Sequence, residues 1–159
     1  MSLYASFVAT LQCPRCQGRS RIDDIQTRAC QEWDQMPRHI EVGATFPVSL
    51  SRERCVTGYL ELRPVAAGEE IRLIETWDCG ACGACFLWAA VVLTPAPGQH
   101  PRPRPHRLAS ITTAALTPAL LDQAHGISDM LAFVYEDLTG EPMSTADFAA
   151  RLRTSLSGR

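Results

Sequence analysis

The chain has 159 residues, 46% of them hydrophobic and 20% charged, with a formal net charge of −2. This is the make-up of a globular protein of one domain, or of a small domain with an appendage. It excludes a disordered chain and a generally basic nucleic-acid binder. No apolar run reaches the ~18 residues that cross a bilayer, and the first residues lack the basic and long apolar regions of a secretory signal, so a cytoplasmic protein without a membrane span is expected.

Three regions follow one another. The first, residues 1–95, carries every cysteine and short apolar runs rich in Val, Ile, Leu, Phe and Tyr. These predict strands over Leu3–Leu11, Ser20–Arg28, Glu41–Pro47, Val56–Arg63, Glu70–Trp77 and Phe86–Leu93. Within the fourth run Tyr59, Glu61 and Arg63 share one face and Leu60 and Leu62 the other, the period of two of a half-buried strand. Ala29 to Met36 fits a helical turn or a loop equally well.

The second region, 96–106 with its approach from Thr94, holds five prolines between Thr94 and His106. Proline fixes φ and removes a donor, so the segment reads as an extended Pro/Arg-rich linker. The third, 107–159, predicts a helical hairpin. Thr117-Pro118 is an N-cap followed by proline at the first helical position. Leu120, Leu121, Ala124, Ile127, Leu131, Val134 and Leu138 then recur at helical spacing up to Gly140. A second helix is expected from about Thr145 to Ser155, with Phe148, Leu152 and Leu156 on one face. A hairpin this short would need to pack on the β region or on a second copy.

Seven cysteines without an export signal point to metal ligands or thiol chemistry. Four form two turns, Cys13-Pro14-Arg15-Cys16 and Cys79-Gly80-Ala81-Cys82. In each, two thiolates separated by two residues can grip one ion from the same side, and two such turns supply the tetrahedral sulfur set that zinc accepts. Each turn follows one predicted strand and precedes another. On these residues the chain resembles zinc-ribbon proteins as a structural group. The resemblance implies a structural zinc ion held by Cys13, Cys16, Cys79 and Cys82, and says nothing of activity. On the ribbon reading, residues 17–78 form a β-rich insertion in the ribbon core; with the helical hairpin expected from the apolar spacing of the third region, the expected fold is α+β. The insertion is unusual, because 62 residues separate Cys16 from Cys79 where ribbons ordinarily have ~15–20.

Other readings of the same residues stand beside this one. Cys85 extends the second turn to C-x-x-C-x-x-C and is an alternative ligand, but the position of a fourth iron–sulfur cysteine is Ala89. Cys13 and Cys16 could form a redox dithiol, although such a motif should open a helix. Cys30 and Cys55 read as small buried hydrophobes. The histidines His39, His100, His106 and His125 show no paired metal spacing.

No phosphate loop, HExxH helix or GxSxG elbow occurs. A four-thiolate site has no open position for substrate. The sequence therefore reads as a non-enzymatic zinc-binding protein of bacterial type, a protein-interaction or regulatory scaffold with a protein partner or its own copy at the helices. The alternatives are a nucleic-acid-binding ribbon using Arg102, Arg104 and Arg107, and a thiol redox protein using Cys13 and Cys16. All 15 basic residues are arginine, as codon bias in a GC-rich genome produces.

Overall fold

The alternation of apolar and polar residues near the N-terminus produces a hairpin of β1 (Ala5–Gln12) and β2 (Arg19–Thr27), paired from Ala5↔Thr27 to Gln12↔Arg19. The computed structural model describes residues 5–27, 29, 39–48, 60–62, 70–100 and 104–127, together with 147, 150, 151, 153 and 154. In β1, Phe7, Ala9 and Leu11 point into the core and Thr10 and Gln12 face out. The buried hydrophobic residues of β2, Ile22 and Ile25, are three apart, which a regular strand would place on opposite faces. Phe7 faces Ile25 while Ala9 faces Ile22, so an extra residue at Asp23-Asp24 is absorbed as a bulge and both isoleucines face inward. β3 (His39–Glu41) lies parallel on the other side of β1, with Ile40 beside Phe7. Arg21 on β2 reaches across β1 to Glu41 on β3 at 2.6 Å. Both side chains are well exposed, so solvent and salt screen this pair and it adds little to stability.

A second sheet has the order β4-β8-β7-β6-β5-β9. Its strands are β4 (Thr45–Phe46), β5 (Leu60–Leu62), β6 (Ile71–Trp77), β7 (Leu87–Pro95), β8 (His106–Ala114) and β9 (Ala124–Ile127). The centre is the antiparallel meander β6–β7–β8. The same bulge device recurs in β8: Val92 faces Ser110 but Leu93 faces Leu108, and the extra residue lets Leu108 and Ile111 both turn inward. Between β3 and β4 the chain passes from the first sheet to the second through Gly43, whose φ of +94° suits glycine. The Gly43 amide donates to the Leu108 carbonyl at 2.8 Å, and the Leu108 amide donates to the Ala44 carbonyl at 2.9 Å.

The two sheets share one hydrophobic core. Phe7, Ile25 and Ile40 enter from the first, and Phe46, Leu73, Leu93 and Leu108 from the second, all fully buried. The rings of Phe7 and Phe46 lie 6.0 Å apart at 58°, a tilted contact across the layers.

The α+β expectation is overturned: the fold is mostly β, and no C-terminal helical hairpin is present among the described residues. Residues 107–114 extend β8, which pairs with β7 along its length. The N-cap at Thr117 forms as expected, its hydroxyl accepting the Leu120 amide at 3.2 Å. However, the helix that follows, α1 (Pro118–Asp122), has only five residues. At Ala124 the chain turns into β9 and pairs with β5, so Ala124 and Ile127 belong to a strand. Ladder bonds offered by β5, together with the low helix propensity of Gly126, outweigh the helical spacing of the apolar residues. Leu131, Val134 and Leu138 lie outside the described residues, as do Phe148, Leu152 and Leu156 of the second expected helix. Asp147, Ala150, Arg151, Arg153 and Thr154 are helical, with the Thr154 hydroxyl donating to the Ala150 carbonyl at 3.0 Å.

The proline-rich segment is the tip of the β7–β8 hairpin. Pro95 pairs with His106, and the Ala96 amide donates to the Pro105 carbonyl at 2.9 Å. Arg104 closes the tip by donating to the Ala96 carbonyl through Nε at 3.1 Å and Nη2 at 2.7 Å. Pro95, Pro97 and Pro105 sit where the β7–β8 ladder is ending.

Phe7 ties the layers together at full burial, so Phe7→Ala is expected to cost about 3–5 kcal/mol, read as a lowered midpoint in chemical denaturation. Thr10→Ala, on the outward face of the same strand, should shift that midpoint little.

Candidate metal centre

The two cysteine turns cap two hairpins from different sheets. Cys13 follows β1 and the chain returns as β2; Cys79 follows β6 and returns as β7. β2 and β6 are in contact, which brings the two tips together.

The turns are built identically. In the first, the Cys13 amide donates to the Gly18 carbonyl at 2.9 Å and the Gln17 amide to the Cys13 carbonyl at 2.9 Å. In the second, the Cys79 amide donates to the Ala84 carbonyl and the Gly83 amide to the Cys79 carbonyl, both at 2.8 Å. The residue after the second cysteine is left-handed in both, Gln17 at φ +61° and Gly83 at +71°. Glycine takes that conformation freely and glutamine does not. Gln17 is held there by its own side chain, whose Nε2 donates to the Pro14 carbonyl at 3.0 Å, while Gln12 Nε2 donates to Gln17 Oε1 at 3.1 Å.

The four sulfurs converge. Cys13 Sγ lies 3.8 Å from Cys82 Sγ, Cys16 Sγ lies 3.9 Å from Cys79 Sγ, and all four fall within 4.8 Å of one another. A tetrahedron with metal–sulfur bonds of ~2.3 Å has edges of about 3.8 Å. A disulfide would need ~2.05 Å. The short distances run between turns, as a shared ion requires. The first cysteine of each turn is buried and the second exposed, so Cys13 and Cys79 form the inner edge and Cys16 and Cys82 the outer.

Amide groups already favour negative sulfur. The Cys16 and Arg15 amides draw the Cys13 thiol down to about 7 against the opposing effect of burial; the Arg15 amide lies 3.4 Å from Cys13 Sγ. Cys82 gains from the Ala84 amide, but desolvation and its three neighbouring thiols push it up to about 11. Four thiols crowded together cannot all ionise unaided, and a divalent cation at their centre removes that repulsion. The donor set thus fits a divalent soft-ligand metal.

The other sites expected from sequence lie elsewhere. Cys85 is exposed and outside the four-sulfur group, its thiol donating to the Gly83 carbonyl at 3.4 Å. Cys16 is followed by β2, so the first turn does not open the helix that a redox dithiol needs. Arg104 is committed to the β7–β8 tip, and Arg107 sits exposed on β8 opposite Thr45. Arg102, Cys30 and Cys55 lie outside the described residues.

Sequence reading overlooked the braces around the site. Asp78 Oδ1 accepts the Phe86 amide at 2.9 Å, closing the second turn beyond its cysteines and holding Phe86 at φ +54°. Thr113 on β8 donates to the Gln12 carbonyl at 2.9 Å, joining the second sheet to the last residue of β1. The Trp77 indole donates to the Trp88 carbonyl at 3.2 Å. An acid directly before a cysteine turn is the one visible signal; the Trp77 contact depends on the pairing of β6 with β7, and the Thr113 contact on the sheets meeting. No protein family matches the chain, and no curated protein or solved structure is significantly similar to it.

Two glycines of the second turn separate backbone strain from crowding. An added Cβ meets nothing within 4 Å at either Gly80 or Gly83, but only Gly83 has positive φ. Gly83→Ala should therefore lower stability of the metal-loaded protein by about 1–2 kcal/mol, while Gly80→Ala stays within about 0.5 kcal/mol, both read by thermal or denaturant unfolding.

Proposed function

We propose that the protein is a non-enzymatic zinc-binding scaffold in which one zinc ion on Cys13, Cys16, Cys79 and Cys82 locks the first sheet to the second. The observation that carries this reading is the pair of inter-turn sulfur distances, 3.8 and 3.9 Å, which match the edge of a zinc–thiolate tetrahedron. Four protein ligands close the coordination shell, so the ion is structural and offers no site for substrate or water. Its binding contributes to folding directly, on the order of 10 kcal/mol in small zinc modules. This supports a role in displaying a surface to a protein partner or a second copy rather than in chemistry. A reducing, cytoplasmic setting would keep the thiols available as ligands. Among the described residues no helix is long and apolar enough to cross a membrane.

The nucleic-acid alternative draws less support. One of its three arginines, Arg104, spends its guanidinium on the carbonyl of Ala96, and the net charge is −2.

Elemental analysis of purified protein should give one zinc per chain and no iron, with a colourless solution. Iron, or less than half an equivalent of any metal, would count against the assignment. Cys13→Ser and Cys82→Ser should each lose the metal and give insoluble or partly unfolded protein, seen as lost cooperative unfolding. Full stability of either variant contradicts the proposal. In gel shifts at low salt, nucleic acid should bind weakly, and changing Arg102, Arg104 and Arg107 to Ala should alter nothing.

A further inference from the structure

The second turn carries one more thiol than the metal needs. Of the five described cysteines, Cys13 and Cys79 are buried, whereas Cys16, Cys82 and Cys85 are exposed. Cys82 and Cys85 share one loop and are separated by two residues. That spacing brings the sulfurs of Cys13 and Cys16, and those of Cys79 and Cys82, within 4.8 Å in this same structure. Gly83 at φ +71° folds the chain back between them. The Cys85 sulfur is turned toward the Gly83 carbonyl at 3.4 Å, so it lies over the residue that follows Cys82. The loop is pinned outside both cysteines by the bond from the Phe86 amide to Asp78 Oδ1 at 2.9 Å. It can rearrange internally without unzipping β6 from β7.

We infer that Cys82 and Cys85 form a peroxide-responsive dithiol, in which oxidation joins the two sulfurs and withdraws one thiolate from the metal. The metal half of this inference rests on the proposed zinc site; the dithiol half does not. The sulfur of one of the two exposed cysteines attacks hydrogen peroxide, the O–O bond breaks, and that sulfur keeps one oxygen as a sulfenic acid while water leaves. The other thiol attacks that sulfur, the S–S bond forms, and the sulfenic oxygen departs with the thiol proton as water. One peroxide is reduced by two electrons and the two sulfurs supply them. A metal ion at this site would be left with Cys13, Cys16 and Cys79, of which only Cys16 is exposed, and would be lost to a competing chelator. Cys16 has no comparable neighbour: its partner at the same spacing is the buried Cys13.

The test uses full-length, metal-loaded protein, hydrogen peroxide and a chromogenic zinc chelator, with fragment-ion mapping of disulfides. The wild type should release its metal, show a Cys82–Cys85 link with loss of two hydrogens, and regain the metal after thiol reductant and added zinc. Cys85→Ser should hold the same metal content beforehand, because its four ligands are untouched. It should then release metal several-fold more slowly, and irreversibly. A Cys79–Cys82 link, no link, or identical release from Cys85→Ser would overturn the inference. If the purified protein holds no zinc, the metal assignment fails on its own, and mapping of the Cys82–Cys85 link in wild type against Cys85→Ser still decides the dithiol.

Discussion

Four sulfurs from two hairpins meet within 4.8 Å, and the hairpins belong to different sheets. Without a cation this is a costly arrangement, because each thiol that ionises makes the next harder to ionise. With one, the same crowding becomes a cross-link between layers whose sequence separation is large. The chain from Cys16 to Cys79 is thereby closed into a loop with a fixed end. Closing a long loop removes conformational freedom from the unfolded chain, which adds to the direct bond energy of the ion.

The cysteine end is one place, among the described residues, where the sheets are tied. Thr113 reaches the Gln12 carbonyl beside the first turn. Elsewhere the crossover at Gly43 exchanges main-chain hydrogen bonds with Leu108, and Phe7 meets Phe46 in the core. Between these ties, the two bulges let β2 and β8 each present inward residues at a spacing of three. Bulges increase local twist, which helps two sheets wrap one core without opposing a flat face to a curved one. The core is filled mainly by Ile, Leu, Phe and Val, with small Ala and Cys side chains and Trp77 among them.

The site is asymmetric, and its chemistry follows from that. Cys13 and Cys79 are sealed against the core, so the inner edge of the tetrahedron is inert. Cys16 and Cys82 face solvent, so exchange, chelation and oxidation begin there. The second turn is the more open of the two, with Gly80, Gly83 and the spare Cys85 in one loop. Its main chain is nonetheless fixed at both ends by Asp78 and Phe86.

The sequence alone determined the local pieces whose signals are short-range. The spacing of the cysteine turns marked the four cysteines that converge, because a two-residue gap on a tight turn leaves few other conformations. Short apolar runs marked β1, β2, β6 and β7, and Thr117-Pro118 marked the start of a helix. Tertiary structure decided everything that depends on a distant partner. The residues after Asp122 repeat at helical spacing, yet β5 presents an open ladder and they become β9. The proline-rich run reads as a linker because proline cannot support a ladder, yet β7 and β8 pair right up to it and make it a hairpin tip. The burial split within each cysteine pair and the brace at Thr113 arise only when the sheets meet, while the bulges and the Asp78 brace arise as strands pair within one sheet.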